Sequence, residues 1–128
     1  MVFDTWAWWE VLHATSIGEK LARKYLEAPD VRLLTVDLAM VEISAKLARE
    51  GRSAEIGRAL ASVESASEVV PISREAAQAS GTLLGELRRT DRNASLADAV
   101  MLSVARAEGA SLVSGDPCFR RERDVLGG

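Results

Sequence analysis

Thiol and imidazole are nearly missing from this chain, which has one cysteine, Cys118, and one histidine, His13. A lone cysteine closes no intramolecular disulfide and supports no cysteine-based zinc site. Cys118 has no activating partner in the sequence and reads as incidental. His13 is far from any candidate nucleophile and reads as structural, so a Ser–His or Cys–His pair has nothing to build on. There is no glycine-rich phosphate loop, and Asp4-Thr5-Trp6 lacks the second aspartate of an aspartyl-nucleophile phosphatase. No apolar run approaches the roughly 20 residues of a membrane span. The N-terminus, Met1-Val2-Phe3-Asp4, has neither the basic nor the apolar region of a secretory leader. With net charge −3 and pI near 5.2, the chain has no overall basic field, so a polyanion would need a local basic patch or a metal. These absences predict a cytoplasmic protein outside the membrane. An apolar fraction of 48% over 128 residues predicts one globular domain, residues 1–128.

What the chain does have is acids at the edges of apolar runs. Leu112-Val113 has strand character and stops on Ser114-Gly115-Asp116-Pro117, which delivers a carboxylate at a strand's carboxyl end. Met1-Val2-Phe3 does the same with Asp4. Ser95-Leu96-Ala97-Asp98 begins a helix, where Asp98 reads both as the acid of a capping box and as a site residue. Glu42 sits in the run Leu38 to Leu47, which reads as a helix apolar on most sides, with Leu38, Val41 and Ala45 on one stripe and Met40, Ile43 and Leu47 on another. An ionised carboxylate there is costly unless it is paired or bound to metal.

In order, the chain reads as a strand at 1–3 and a helix at 5–14 holding all three tryptophans. Trp6 and Trp9 share a face of that helix, as a core or interface anchor or, less simply, as a surface for base stacking. A second helix starts at a Ser16–Glu19 capping box and carries the stripe Ile17, Leu21, Tyr25, Ala28. A strand at 31–36 follows, then a helix capped by Asp37 and ended by Gly51, and a helix capped by Ser53. Next come a strand at 68–72 and a helix from Ser73 to about Arg89, whose small residues Ala77, Gly81 and Gly85 suggest a close neighbour or loose packing. Then come the Ser95 helix, the strand at Leu112-Val113 and a basic tail with an edge strand. Alternating strands and helices predict an α/β domain with a mostly parallel sheet. In such sheets, sites form beyond the carboxyl ends of the strands.

Four carboxylates brought together repel unless divalent cations neutralise them. Oxygen ligands of this kind suit Mg²⁺ or Mn²⁺, and such sites suit phosphodiester hydrolysis. Thr5 and Ser114 place hydroxyls beside Asp4 and Asp116, where they can orient a water or a phosphate oxygen.

Met1-Val2-Phe3-Asp4-Thr5, Val41-Glu42-Ile43, Ser95-Leu96-Ala97-Asp98-Ala99 and Ser114-Gly115-Asp116-Pro117-Cys118-Phe119, in that order, resemble the acidic motifs of PIN-domain ribonucleases, above all the VapC toxins of prokaryotic toxin–antitoxin pairs. The resemblance implies a three-layer α/β/α fold with strand order 3-2-1-4-5. It implies an RNA endonuclease dependent on Mg²⁺ or Mn²⁺, with Asp4, Glu42, Asp98 and Asp116 as the metal-site and catalytic acids. A homodimer and a small cognate antitoxin are implied as partners. The tryptophan-rich first helix is unusual for that family. Arg88, Arg89 and Arg92 precede Asp98, and Arg120, Arg121 and Arg123 follow Asp116. These arginines are expected to rim the site and hold RNA phosphates; a solvated face or an antitoxin contact is the other reading. Rival functions are a catalytically inactive PIN-like module that binds RNA or protein, and a DNA or flap nuclease.

Overall fold

Strands of two or three apolar residues are enough to build the sheet. In a computed structural model describing residues 1–127, these are β1 (Val2–Phe3), β2 (Leu34–Val36), β3 (Glu68–Val70), β4 (Leu112–Val113) and β5 (Val125–Leu126). Their order is β3-β2-β1-β4-β5 and every neighbouring pair is parallel. Val2 lies opposite Leu34 and Leu112, while Phe3 lies opposite Thr35 and Val113. Successive side chains alternate across the sheet, so Val2, Leu34 and Leu112 enter one core and Phe3 and Val113 the other. A parallel sheet covered on both faces needs apolar residues on both, which is why these runs do not alternate with polar ones.

Parallel strands require crossovers, and the helices supply them. Helices α5 (Arg74–Arg88) and α6 (Leu96–Ala107) cover the Val2 face. Helices α1 (Thr5–Leu12), α2 (Ser16–Leu21) and α4 (Ile56–Ala66) cover the other, with most of the buried side of α3 (Asp37–Arg49). The result is the three-layer α/β/α sandwich with the expected strand order. The second core is centred on Trp8, whose indole Nε1–H donates to the buried Thr35 Oγ1 at 3.0 Å. Phe3 meets Trp8 and Tyr25 edge-to-face, at 5.0 Å and 5.7 Å between ring centres. Thr35 also shares a hydrogen bond with Ser67 at 2.6 Å, so its buried hydroxyl is satisfied. The α1–α2 hairpin closes tightly, because a Cβ on Gly18 would lie 2.0 Å from the carbonyl oxygen of Glu10. Among the described residues no helix is long and apolar enough to cross a membrane.

Several local expectations need correction. Thr15, not Ser16, caps α2 by accepting from the Gly18 N–H, and its own hydroxyl binds the Glu10 carboxylate, so Glu19 closes no capping box. Ile17 is exposed rather than part of the buried stripe, and α2 runs into a π-helical turn, Ala22–Leu26. Asp37 is the first helical residue of α3, and Val36 occupies the cap position without a side-chain bond. Val41 and Ala45 face outward, because the buried stripe of α3 is Ala39, Ile43 and Leu47 at spacing four. Ser53 opens a 3₁₀ turn, Ser53–Glu55, before α4 and caps nothing. Strand β3 stops at Val70 rather than residue 72, at the edge of the sheet, as Pro71 with no N–H to offer a ladder signals. Gly81 and Gly85 lie on the exposed side of α5, where an added Cβ would meet nothing within 4 Å, so no close neighbour explains them.

Candidate active site

Three acids are fixed by the turns that end strands or begin helices. Beyond β1 the chain is extended at Asp4, whose Oδ1 accepts from the Ala7 N–H at 2.9 Å and so caps α1. Beyond β4, Ser114 Oγ accepts from the Asp116 N–H at 3.0 Å. Asp116 Oδ1 in turn accepts from the Cys118 N–H at 3.0 Å, capping the 3₁₀ turn Pro117–Phe119. Strand β1 lies between β2 and β4, so its carboxyl end is the point where the crossovers diverge, and Asp4 and Asp116 flank that point. On α6, Asp98 Oδ2 accepts from the Ser95 N–H at 2.8 Å while the Asp98 N–H donates to Ser95 Oγ at 3.1 Å, a complete capping box. The fourth acid, Glu42, projects from α3, and Thr5 Oγ1 donates to its Oε1 at 2.6 Å.

All four carboxylates line one cleft of about 410 Å³, together with Thr5, Trp6, Trp9 and Lys46. Asp4 is only 6% exposed. Burial pushes its carboxyl up to about 7; hydrogen bonds from Ser114 and Ala7 oppose the shift, and the charges of Asp98 and Asp116 add to it. Asp98 is also raised, first by burial, with its bond from Ser95 opposing and Asp116 adding. Carboxylate oxygens of Asp98 and Asp116 and the Cys118 sulfur lie within 4.8 Å of one another. Among the described residues none of the four acids is in an ion pair; the paired carboxylates are Glu50, Glu55, Glu68, Glu122 and Asp124. The cleft's one lysine, Lys46, is held over the Trp9 ring, 4.1 Å from its centre. Negative charge here is therefore opposed by burial, and no salt bridge to these four acids offsets it. Hard oxygen donors grouped in this way fit a divalent cation such as Mg²⁺ or Mn²⁺.

A model of the PIN domain matches residues 1–124. The chain belongs to the PIN-domain family. No curated protein sequence matches it. Among solved structures, the PIN domain is similar to VapBC2 from Rickettsia felis bound to a promoter DNA fragment. That likeness is at 19% identity and TM-score 0.75, covering 100% of this chain and 98% of the other. It is similar to VapC20 of Mycobacterium tuberculosis, a toxin described as cleaving the sarcin–ricin loop. There the identity is 19% and the TM-score 0.66, over 94% and 93% of the two chains. It is also similar to DNA-bound VapBC from Salmonella typhimurium, at 18% identity and TM-score 0.70, over 99% and 95%.

In this PIN domain the other expected site residues are divided. Thr5 and Ser114 stand beside the acids, the first donating to Glu42 and the second to Asp4. Arg120 and Arg121 do not line the acid cleft. Arg120 lines an adjoining groove of about 400 Å³ with Ser114, Gly115 and Asp116. Arg121 joins Arg120 in a recess with Thr90 and Asp91. Arg88 spends its Nε–H on the carbonyl of Ala94, bracing the loop before α6. Trp6, Trp9, Glu10, Lys46 and Asn93 line the cleft without having been assigned to it from sequence, except that the shared face of Trp6 and Trp9 was visible in their spacing. The sulfur of Cys118 beside two acids was also missed, although its place two residues after Asp116 was a signal. Burial raises the pKa of that thiol.

Proposed function

We propose that this PIN domain is an RNA endonuclease dependent on Mg²⁺ or Mn²⁺, the toxin of a type II toxin–antitoxin pair. The observation that carries this reading is the convergence of Asp4, Glu42, Asp98 and Asp116 on one cleft, none of them in a salt bridge among the described residues. Asp4, Asp98 and Asp116 would hold the ion through oxygens left free by their caps, with Glu42 beside them. A bound divalent ion would supply Lewis acidity toward a phosphoryl oxygen and a water of lowered pKa. The protein's own part is positional: Thr5 fixes the Glu42 carboxylate, Ser114 fixes Asp4, and the capping box fixes Asp98.

The similarity to VapC20, described as cleaving the sarcin–ricin loop, is in line with RNA as substrate. The similarity to VapBC complexes solved on DNA supports a small antitoxin partner; a homodimer in the cytoplasm belongs to the same proposal. Incubating the protein with RNA in Mn²⁺ is expected to give fragments ending in 5′-phosphate and 3′-hydroxyl, and EDTA is expected to stop their formation. Cleavage of DNA alone would favour the flap-nuclease reading, and cleavage of neither would leave a binding module.

Arg120, next to Asp116 in the adjoining groove, and Arg121 beside it are placed to take phosphates flanking the cut. Replacing both by glutamine is expected to weaken RNA binding and to lower the slope of log affinity against log salt by about 1.4, the value for two phosphate contacts on a single strand. An unchanged slope removes both arginines from the RNA path.

A further inference from the structure

The three tryptophans of α1 have different surroundings. Trp8 is in the core with its N–H bonded to Thr35. Trp9 is occupied by its neighbours, with the His13 ring 4.3 Å away, Lys46 at 4.1 Å and the Arg52 guanidinium at 5.9 Å. Trp6 is half-buried in the wall of the acid cleft, and among the described residues no aromatic ring or cation stacks on it. Its benzene ring lies on the backbone at Gly115, where an added Cβ would come within 2.5 Å of Cε2 and Cζ2. The indole is thus seated one residue from Asp116 and two from Asp4, on a support that only glycine allows.

We propose that Trp6 is the stacking platform for an unpaired nucleobase of the RNA substrate, next to the phosphodiester presented to the four acids. This rests on the ribonuclease reading above and adds to it a residue of this chain that holds a base beside the cut. Base–aromatic stacking tolerates any base, so Trp6 sets the need for an unpaired nucleotide rather than for a particular sequence. Lys46, next to Trp9 in the same cleft, is the cation available to a neighbouring phosphate.

The test is an abasic scan. A short single-stranded RNA that the wild-type protein cleaves in Mn²⁺ is remade with one abasic nucleotide at each position around the cut. One position is expected to lower wild-type kcat/KM by about 5- to 150-fold, the range for losing one stacked base. Trp6→Leu is expected to lose a similar factor on the intact RNA and nothing further on that abasic RNA, while Trp6→Phe keeps most of the activity. If every abasic RNA is cleaved like the intact one, the proposal is overturned, and this result needs no variant. An abasic penalty equally large in wild type and Trp6→Leu also overturns it, with the ribonuclease reading intact. Failure of the wild-type protein to cleave any RNA removes both.

Discussion

Asp4→Asn is expected to stop RNA cleavage and, at the same time, to make the metal-free protein more stable near pH 8. Asparagine caps a helix as well as aspartate does, so the bond from the Ala7 N–H survives and only the charge is lost. The wild-type carboxyl keeps its proton to about pH 7, against an ordinary value of 3.8 in the unfolded chain. Between those values the native state carries more protons than the unfolded chain, so the metal-free wild type loses stability as pH rises through that window and levels off above it. Asparagine has no such proton, and the slope should flatten. The shift corresponds to a gain of at most about 4 kcal/mol for the variant near pH 8. Denaturant melts at several pH values, with EDTA, would measure it. With Mn²⁺ the order should reverse, because the ion stabilises only a site that can hold it. Activity should fall at least 100-fold, beyond the loss typical of removing an outer partner of a metal ligand. A variant with wild-type pH dependence and an undiminished Mn²⁺-induced rise in Tm would take Asp4 out of the metal site. Asp116→Asn should behave similarly toward metal, its metal-free Tm equal to or above wild type.

Gly115→Ala is expected to cost stability and cleavage together. One methyl group placed 2.5 Å from the Trp6 ring forces the indole or the Ser114–Asp116 turn to move. Overpacking of this kind costs roughly 1–3 kcal/mol. The same turn aims Asp116 and supplies the Ser114 hydroxyl, so a shift there misplaces two of the four acids. Adding Trp6→Leu should restore much of the stability by vacating the space, because residues in contact do not act additively. Purely additive losses in the double variant would show that the methyl is accommodated elsewhere. The contrast with Gly81 and Gly85 is a built-in control, since a methyl at either meets nothing within 4 Å.

The acids at strand ends were the most legible part of the site. A run such as Leu112-Val113 broken by Ser-Gly-Asp-Pro says where a parallel strand stops, and the fold places such stops side by side. Asp98 was legible through its capping box, which is a local signal. Glu42 was found for a partly mistaken reason. The helix around it is not apolar all round; its buried stripe is Ala39, Ile43 and Leu47, with Val41 outside at 63% exposure. Exposed valines and alanines are ordinary, and hydropathy alone cannot tell them from core residues. The α2 cap was misplaced by one residue because Thr15 and Ser16 both carry hydroxyls, and only the fold brings Glu10 to Thr15. Most hidden was the contact of Trp6 with Gly115, which joins the two ends of the chain. Neither residue announces it, because the glycine is not in a left-handed turn and is required only by what rests on it.

Asp4 and Asp116 also cap the elements that follow them, and Asp98 closes the capping box of its own helix. Folding therefore keeps a capping side chain at these three positions, asparagine serving as well as aspartate, even in a descendant that has given up chemistry. Glu42 alone has no such second employment, being held only by the hydroxyl of Thr5. Loss of selection for cleavage would be written as any change at position 42 but as asparagine at the three caps, and a copy so altered would be a retired enzyme that still folds.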